Sequence, residues 1–350
     1  MKVRRSPTLV TYWRDGRLVV ENYASGARVP ASRGLLAILD AATEWQTVDG
    51  LGRSAELATP ALARRLIDVL CASTLLERAP GSAVSKALPI WASWLPHAGL
   101  LHFGTKDEPY LAPRAAALAE RARTKREPPP PPTKSYPARG RVALPQPRSL
   151  PIDLDVVLRV RRTWRKFGRR PLSLDDLATV LGLTWGVQHT LRDNNGAAMV
   201  LKTSPSGGAM HPVEVYAAAF NVEGLSRGLY HYDAARHALS RVRRASARIT
   251  PARYLPHQPW YRGAAAMFFM TAVVARERWK YTTPRAYRAM LLDAGHLCQT
   301  CCLVATALDL APFSSMALAD SAIERDLGLD GVNEVALYAA GAGRRPATRR

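Results

Sequence analysis

The segment RRTWRKF places Arg161, Thr163 and Arg165 at alternate positions, with Arg162 between the first two. In an extended chain alternate side chains leave on one side, so two guanidiniums and a hydroxyl would converge there. Such a set suits a phosphate or a carboxylate, because a guanidinium matches paired anionic oxygens. Taken alone it reads equally as a solvated basic turn. A second stretch, KTSPSGGAMHPVEVY, packs Pro205, Ser206, Gly207 and Gly208 ahead of an apolar run. Its hydroxyls and amides can bond the polar edge of a planar ring, and its glycines let backbone come close. It is neither a G-K-[ST] phosphate loop nor G-x-G-x-x-G, so alone it reads as a strand-entry turn. The third feature is ERWKYTTPRAYR, where Lys280 and Tyr281 lie between an apolar strand and an apolar helix. A lysine in such surroundings can act as a base, and a tyrosine can donate to a substrate atom or take its proton. Alone, the pair reads as a surface lysine and a packing tyrosine. The run CQTCC holds Cys298, Cys301 and Cys302 inside a helical pattern, without a second ligand pair. It reads as small core residues, with no metal site.

Periodicity shows the elements that must position these residues. DLDVVLRVRRT and LSLDDLATVLGLTWGVQ read as helices, the second capped by Ser173. VEVYAAAF and AAAMFFMTAVVA read as strands, and GLYHYDAARHALSRV as a hairpin. PRAYRAMLLDAGHLCQTCCLVATALDL reads as a long buried helix, followed by a short helix, DSAIERDLGL, and a last strand, NEVALYAAGAG. The class is α+β, with helices flanking a mixed, mostly antiparallel sheet. Residues 1–125 read as a small separate domain. Helices SRGLLAILDAATEW and TPALARRLIDVLCASTLL are capped there by Ser32 and Thr59, and GRLVVENYAS is a strand or hairpin. These parts suggest a winged-helix-like module, the alternative being a helical extension. Residues 126–151, with five consecutive prolines, read as a semi-rigid spacer. The second domain then runs over residues 152–350.

The 350 residues, 47% of them hydrophobic, allow a large core beside a small domain. No apolar run reaches the roughly 18 to 20 residues of a spanning helix, and no signal peptide is legible, so the expectation is a cytoplasmic protein off the membrane. The net charge of +21 suits anionic ligands and acidic peptides. Without a basic stripe of interleaved aromatics or a zinc-finger spacing, it does not indicate nucleic-acid binding.

Taken in order, RRTWRKFGRRPLSLDDLATVLGLTWGVQ, SPSGGAMHPVEVY, NVEGLSRGLYHYDAARHAL and KYTTPRAYRAMLLDAGHLCQTCCLVATALDL resemble the nitroreductase fold. Within it they are similar to the SagB-type dehydrogenases, flavin enzymes that oxidise azoline rings in ribosomally made peptides. GLYHYD and YR..LLDAGH are the most specific parts. The resemblance implies FMN. It places Arg161, Thr163 and Arg165 on the flavin phosphate and ribityl chain, Thr163 standing for the usual serine, and brings Arg344 to the phosphate. It places Pro205, Ser206 and Gly208 along the isoalloxazine, and Ser314 and Ser315 near its other face, although APFSSM departs from the usual glycine pattern. Lys280 and Tyr281 match the catalytic KY pair, Lys280 removing the α-proton of a thiazoline or oxazoline with help from Tyr281. Thr282 replaces the usual glycine after that pair, and GHLCQTCC stands where GH..QN is usual. The resemblance also implies a precursor-peptide substrate, a cyclodehydratase partner, a homodimer, and peptide recognition by the first domain. Two other readings stay open: an NAD(P)H-dependent nitro- or quinone-type reductase, and a non-enzymatic binding module on a degenerate flavin fold.

Overall fold

In the computed structural model of the chain, the structure describes residues 1–138, 140–192, 198–244, 246 and 248–347. They form two compact units, Met1–Pro109 and Tyr110–Arg350. The first contains β1 (Lys2–Arg5), β2 (Leu9–Arg14), β3 (Arg17–Asn22), β4 (Ala27–Pro30), α1 (Arg33–Ala41), β5 (Gln46–Thr47), α2 (Val48–Ser54), α3 (Pro60–Ala72), β6 (Leu76–Arg78), α4 (Ala83–Ala87) and α5 (His97–Phe103). Strands β5, β1 and β6 form one antiparallel sheet and β2, β3 and β4 another. Val3, Ile38, Leu51, Ile67 and Leu75 make its core. Ser32 and Thr59 cap α1 and α3, accepting from Leu35 N at 3.1 Å and Leu62 N at 3.2 Å. Among the described residues, this unit's five α-helices and two three-stranded sheets go beyond the two helices and the strand or hairpin read from the sequence. The β2–β3–β4 meander is additional, where the sequence suggested at most a hairpin.

The second unit contains α6 (Pro113–Arg126), β7 (Arg141–Ala143), α7 (Leu154–Val160), α8 (Leu174–Trp185), β8 (Val187–Arg192), β9 (Ala198–Lys202), β10 (Val213–Ala219), β11 (Gly228–Asp233), β12 (Ala238–Arg244), α9 (Pro251–Tyr254), β13 (Ala266–Val273), α10 (Val274–Lys280), α11 (Ala286–Ala307), β14 (Leu310–Ser315), α12 (Asp320–Leu327) and β15 (Glu334–Arg344). Its main sheet has the order β14-β15-β13-β10-β11-β12-β7, and every neighbouring pair is antiparallel. The central strands are buried on both faces, so they read as near-continuous apolar runs. Along β13, Phe268 and Met270 join one core with α8 and α11. Met267 and Phe269 join the opposite core with Tyr254 and Ile323. This is the two-residue alternation of a strand. Cys298, Cys301 and Cys302 are buried among the first set.

Four expectations change. The helix expected through Thr163 stops at Val160, because the next residues are drawn alongside β14, with Trp164 N donating to Pro312 O at 2.9 Å. The strand expected through Ala275 ends at Val273 and α10 begins at once. Helix α11 is long and apolar enough to cross a membrane by length and composition, contrary to expectation; it is the helix packed along the sheet. The expected spacer is the largest correction. The units part at Pro109, not at residue 125, and the proline-rich segment is a strap stitched to the second unit. Lys134 N donates to the Glu214 carboxylate at 3.0 Å, and Lys134 Nζ bonds Tyr216 Oη at 2.8 Å and Glu334 at 2.6 Å. Ser135 donates to Asp233 at 2.9 Å, and β7 then extends the sheet beside β12. Backbone amides and a lysine facing buried carboxylates gain more as bound groups than as a solvated tether.

Candidate functional site

The SPSGGAM loop joins β9 to β10 and is docked on one face of α11. Ser204 shares a 2.7 Å hydrogen bond with Thr300, and His296 Nδ1 lies 3.4 Å from Pro205 O. Ser206 donates to Asp293 Oδ2 at 2.5 Å, and Gly207 N donates to Asp293 Oδ1 at 3.3 Å. Residues 293, 296 and 300 fall on one side of a helix, so a single face holds the loop. Ser206 Oγ also accepts from His211 N at 2.8 Å. Its bonding is therefore largely spent inside the protein, so it shapes the loop rather than presenting a free hydroxyl to a ring. The loop backbone is strained: Gly208, Ala209 and His211 have φ of +56°, +57° and +45°. Two of these are not glycine, and such conformations persist where the surroundings enforce them, often at functional sites.

The KY pair meets this loop. Lys280 ends α10 and donates from Nζ to Gly208 O at 3.2 Å. A Cβ on Gly208 would sit 2.5 Å from Tyr281 Oη and 2.8 Å from Lys280 Cδ. Gly208 is thus glycine because the two side chains occupy that space. Burial, and then the charges of Glu277, Glu120, Tyr110 and Asp293, push the Tyr281 phenol up, so it stays protonated and acts as a donor. Helix α10 is fixed from outside by Arg123 of α6, whose Nη1 donates to Trp279 O at 2.7 Å and Lys280 O at 2.8 Å.

The sequence did not single out Glu277, Asp293 or Arg123. Glu277 is fully buried, and neither carboxyl oxygen has a hydrogen-bond partner among the described residues. Burial, reinforced by the charge of Asp293, raises it to about 7. Asp293 is also raised by burial, but its oxygens are held by Ser206 and Gly207. Asp293 stands in the LLDAGH stretch, so its importance had a sequence signal. Glu277 and Arg123 had none, since surface helices are rich in both residue types.

The arginine segment lies beside β14 and contributes unequally. Arg161 is half-buried and acts on a polar cluster beneath it. In that cluster, hydrogen bonding with Cys302, then with Ser314 and Tyr338, draws the Cys298 thiol below its usual value against the effect of burial. Thr163 and Arg165 are exposed. None of the ion pairs among the described residues uses Arg161 or Arg165. Arg162 is different. It turns back to donate to Arg159 O and Arg161 O, each at 2.8 Å, closing the end of α7. Arg344 is also committed elsewhere, paired with Asp176 at 2.8 Å and donating to Pro171 O at 3.1 Å. A guanidinium bound to a buried carboxylate is not a free phosphate ligand. Ser314 and Ser315 are successive residues of β14 and so face opposite ways. Ser314 meets Cys298 and Tyr338, whereas Ser315 donates to Gln258 at 2.7 Å on the other face. The structure thus joins Pro205, Ser206, Gly207 and Gly208 with Lys280 and Tyr281, and Arg161 with Ser314. It removes Arg162, Ser315 and Arg344 from the set.

A profile of the nitroreductase family matches residues 158–344, more than half of the chain. The chain belongs to the nitroreductase family. It is 30% identical over 173 residues to the trifolitoxin-processing protein TfxB of Rhizobium leguminosarum bv. trifolii, covering 48% of this chain and 46% of that protein. The chain therefore spans just under half the length of TfxB. It is 31% identical over 176 residues to MJ1384 of Methanocaldococcus jannaschii, named as a candidate nitroreductase, covering 50% of this chain and 84% of that protein. Among solved structures, a candidate nitroreductase from Ralstonia eutropha JMP134 superposes with a TM-score of 0.50 at 21% identity, covering 62% of this chain and 94% of that one. This last likeness speaks to the fold. Together these findings place the chain in the nitroreductase family, with a peptide-processing protein among its relatives.

Proposed function

We propose that this nitroreductase-family chain is an FMN-dependent dehydrogenase that oxidises thiazoline or oxazoline rings in a ribosomally made precursor peptide. The observation that carries this reading is the contact of Lys280 and Tyr281 with the strained Gly208 loop. The peptide-processing relative supports the substrate class.

The residues fit a flavin mononucleotide. Arg161 and Arg165, outside the ion pairs of the described residues, suit a phosphate, with the Thr163 hydroxyl between them. The loop from Pro205 to Gly208 offers backbone to a planar ring, with Ser314 on the side of Arg161. FMN, when bound, supplies the acceptor for two electrons and one hydrogen of the azoline. Lys280 takes the other hydrogen as a proton from the ring α-carbon, the new lone pair entering the aromatic azole. Tyr281, kept protonated, donates a hydrogen bond to a substrate heteroatom and orients the ring. Because the azoline must exist first, a cyclodehydratase acts before this protein, and the first unit is assigned to holding the peptide.

A homodimer belongs to the same reading. Leu154 and Leu158 on α7 are 66% and 53% exposed, and Leu292 on α11 is 62% exposed. Apolar side chains exposed this far on neighbouring helices suit a second copy.

The test is the visible spectrum of the purified protein, followed by mass spectrometry of the peptide. A flavin spectrum is expected, with loss of two hydrogens per azoline, and K280A is expected to keep the flavin and lose the turnover. Protein without flavin would sink the reading. Rapid bleaching by NAD(P)H without peptide would replace it with a nitro- or quinone-type reductase.

A further inference from the structure

The proposed chemistry uses Lys280 and Tyr281 but leaves the most unusual group nearby without a task. Glu277 is fully buried, and both its oxygens lack a partner among the described residues. A buried carboxyl normally finds donors, and one that does not is costly. It lies on α10, three residues before Lys280, a spacing that puts those two side chains on one helix face, and Tyr281 is the extended residue that ends the helix. Both ends of this arrangement touch the same loop. Glu277 Oε1 is 3.1 Å from where a Cβ on Gly207 would sit, and Lys280 Nζ bonds the carbonyl of the next residue, Gly208.

We propose that Glu277 is the positioning residue that exchanges a proton with Lys280 and so returns the lysine to its neutral, basic form. This rests on the reading of Lys280 as the base. The step is R–NH3+ + R′–COO− → R–NH2 + R′–COOH: one proton moves and no electron does. Burial of Glu277 favours its protonated form on the right-hand side, because the carboxylate would sit where water cannot solvate it. The charged and titratable groups facing Glu277 agree. Lys280 comes from its own helix, Tyr281 from the residue that ends that helix, Asp293 from α11, and the loop adds only the backbone of Gly207. Asp293 opposes a second negative charge, whereas Lys280 favours one. Asp293 cannot serve instead, because Ser206 and Gly207 hold its oxygens.

The test is isotope-edited infrared titration of the full chain with labelled glutamate, which needs no turnover. A protonated carboxyl should titrate with a midpoint of about 7 and be absent from E277Q. In K280M the midpoint should move upward, because the ammonium that favours the carboxylate is gone. No titrating acid in that range, or a midpoint unmoved in K280M, overturns the proposal. Should E277Q fold poorly, wild type against K280M still decides. In the flavin-loaded enzyme E277Q should shift the pH dependence of turnover, with E277D restoring it in part; a uniform loss at every pH overturns the proposal. Absence of flavin from every variant would instead remove the functional reading and leave the infrared coupling standing.

Discussion

A methyl group on Gly208 probes the contact on which the site depends. In G208A the new carbon would lie 2.5 Å from Tyr281 Oη and 2.8 Å from Lys280 Cδ, against about 3.5–4 Å for unstrained contact. The backbone φ of +56° adds a second cost, since a left-handed conformation is about 1–2 kcal/mol worse for alanine. The overlap is relieved by turning two flexible side chains away, which costs about 0.5–1.5 kcal/mol. The sum is about 1.5–3.5 kcal/mol, a fall in Tm of about 3–14 °C for a unit of this size. The effect on chemistry is larger, because moving a reacting group by about 1 Å costs on the order of 100-fold in rate. The assay is turnover by mass spectrometry, with flavin absorbance and thermal denaturation alongside. The expected result is retained flavin, modestly lowered Tm and turnover reduced about 100-fold. G207A makes a milder demand, and on Glu277 instead: its Cβ would meet Glu277 Oε1 at 3.1 Å, Ala289 Cβ at 3.4 Å and Glu277 Cδ at 3.9 Å. G208A with parental turnover would refute the argument, as would a variant that lost flavin first, since the space would then belong to the ring.

Other substitutions test neighbouring contacts. Glu277 is raised to about 7, so the folded state holds its proton more tightly than the unfolded chain. The resulting contribution is present below the unfolded value and is lost as pH rises toward the folded one. E277Q should therefore gain stability relative to wild type across that window, by about 1–3 kcal/mol, and equal pH dependence of Tm would contradict it. R123M removes two hydrogen bonds to the last carbonyls of α10. It should cost about 1–2 kcal/mol and lower kcat more than it changes KM; an unchanged kcat would exclude a role in placing Lys280. L158R with L292R should turn a dimer into a monomer by light scattering, and an unaltered mass would exclude that face. Replacing Pro128–Pro132 with glycines loosens the strap by about 2–5 kcal/mol of chain entropy and should lower both Tm and turnover; a plain spacer would tolerate it.

Much of the second unit was legible because its elements are long and strongly periodic. VEVYAAAF, AAAMFFMTAVVA and the long cysteine-bearing helix could bury their side chains in few ways. Hairpin β8–β9 and strand β14 were not foreseen. Residues 187–192 are almost wholly exposed and carry little apolar pattern, and LAPFSS is short and contains proline. The site was legible at its anchors and illegible in its pairings. Nothing local distinguishes Arg161 from Arg162 or Arg344. What separates them is that Asp176 lies opposite Arg344 and the end of α7 lies beneath Arg162. Ser314 and Ser315 are parted by strand alternation, once β14 is known to be a strand.

The strap changes how the site's precision is explained. Helix α10 is only seven residues long, too short to hold its shape in isolation. Yet its last residue is Lys280, the proposed base. The strap and α6 supply what the helix lacks. Arg276 Nε donates to Pro131 O at 2.8 Å, Arg278 pairs with Glu127 at 2.7 Å, Trp279 Nε1 donates to Glu127 O at 2.9 Å, and Arg123 takes the carbonyls of Trp279 and Lys280. Arg276 is further tied to Glu214 of β10 at 2.6 Å. Both ends of α10 are thus fixed from one side by residues 123–131, while the Gly208 loop meets it from the other. Five prolines suit this duty because their φ is already set, so little entropy remains to be lost when the strap lies down. What looked like a tether between domains is the support against which the lysine is held.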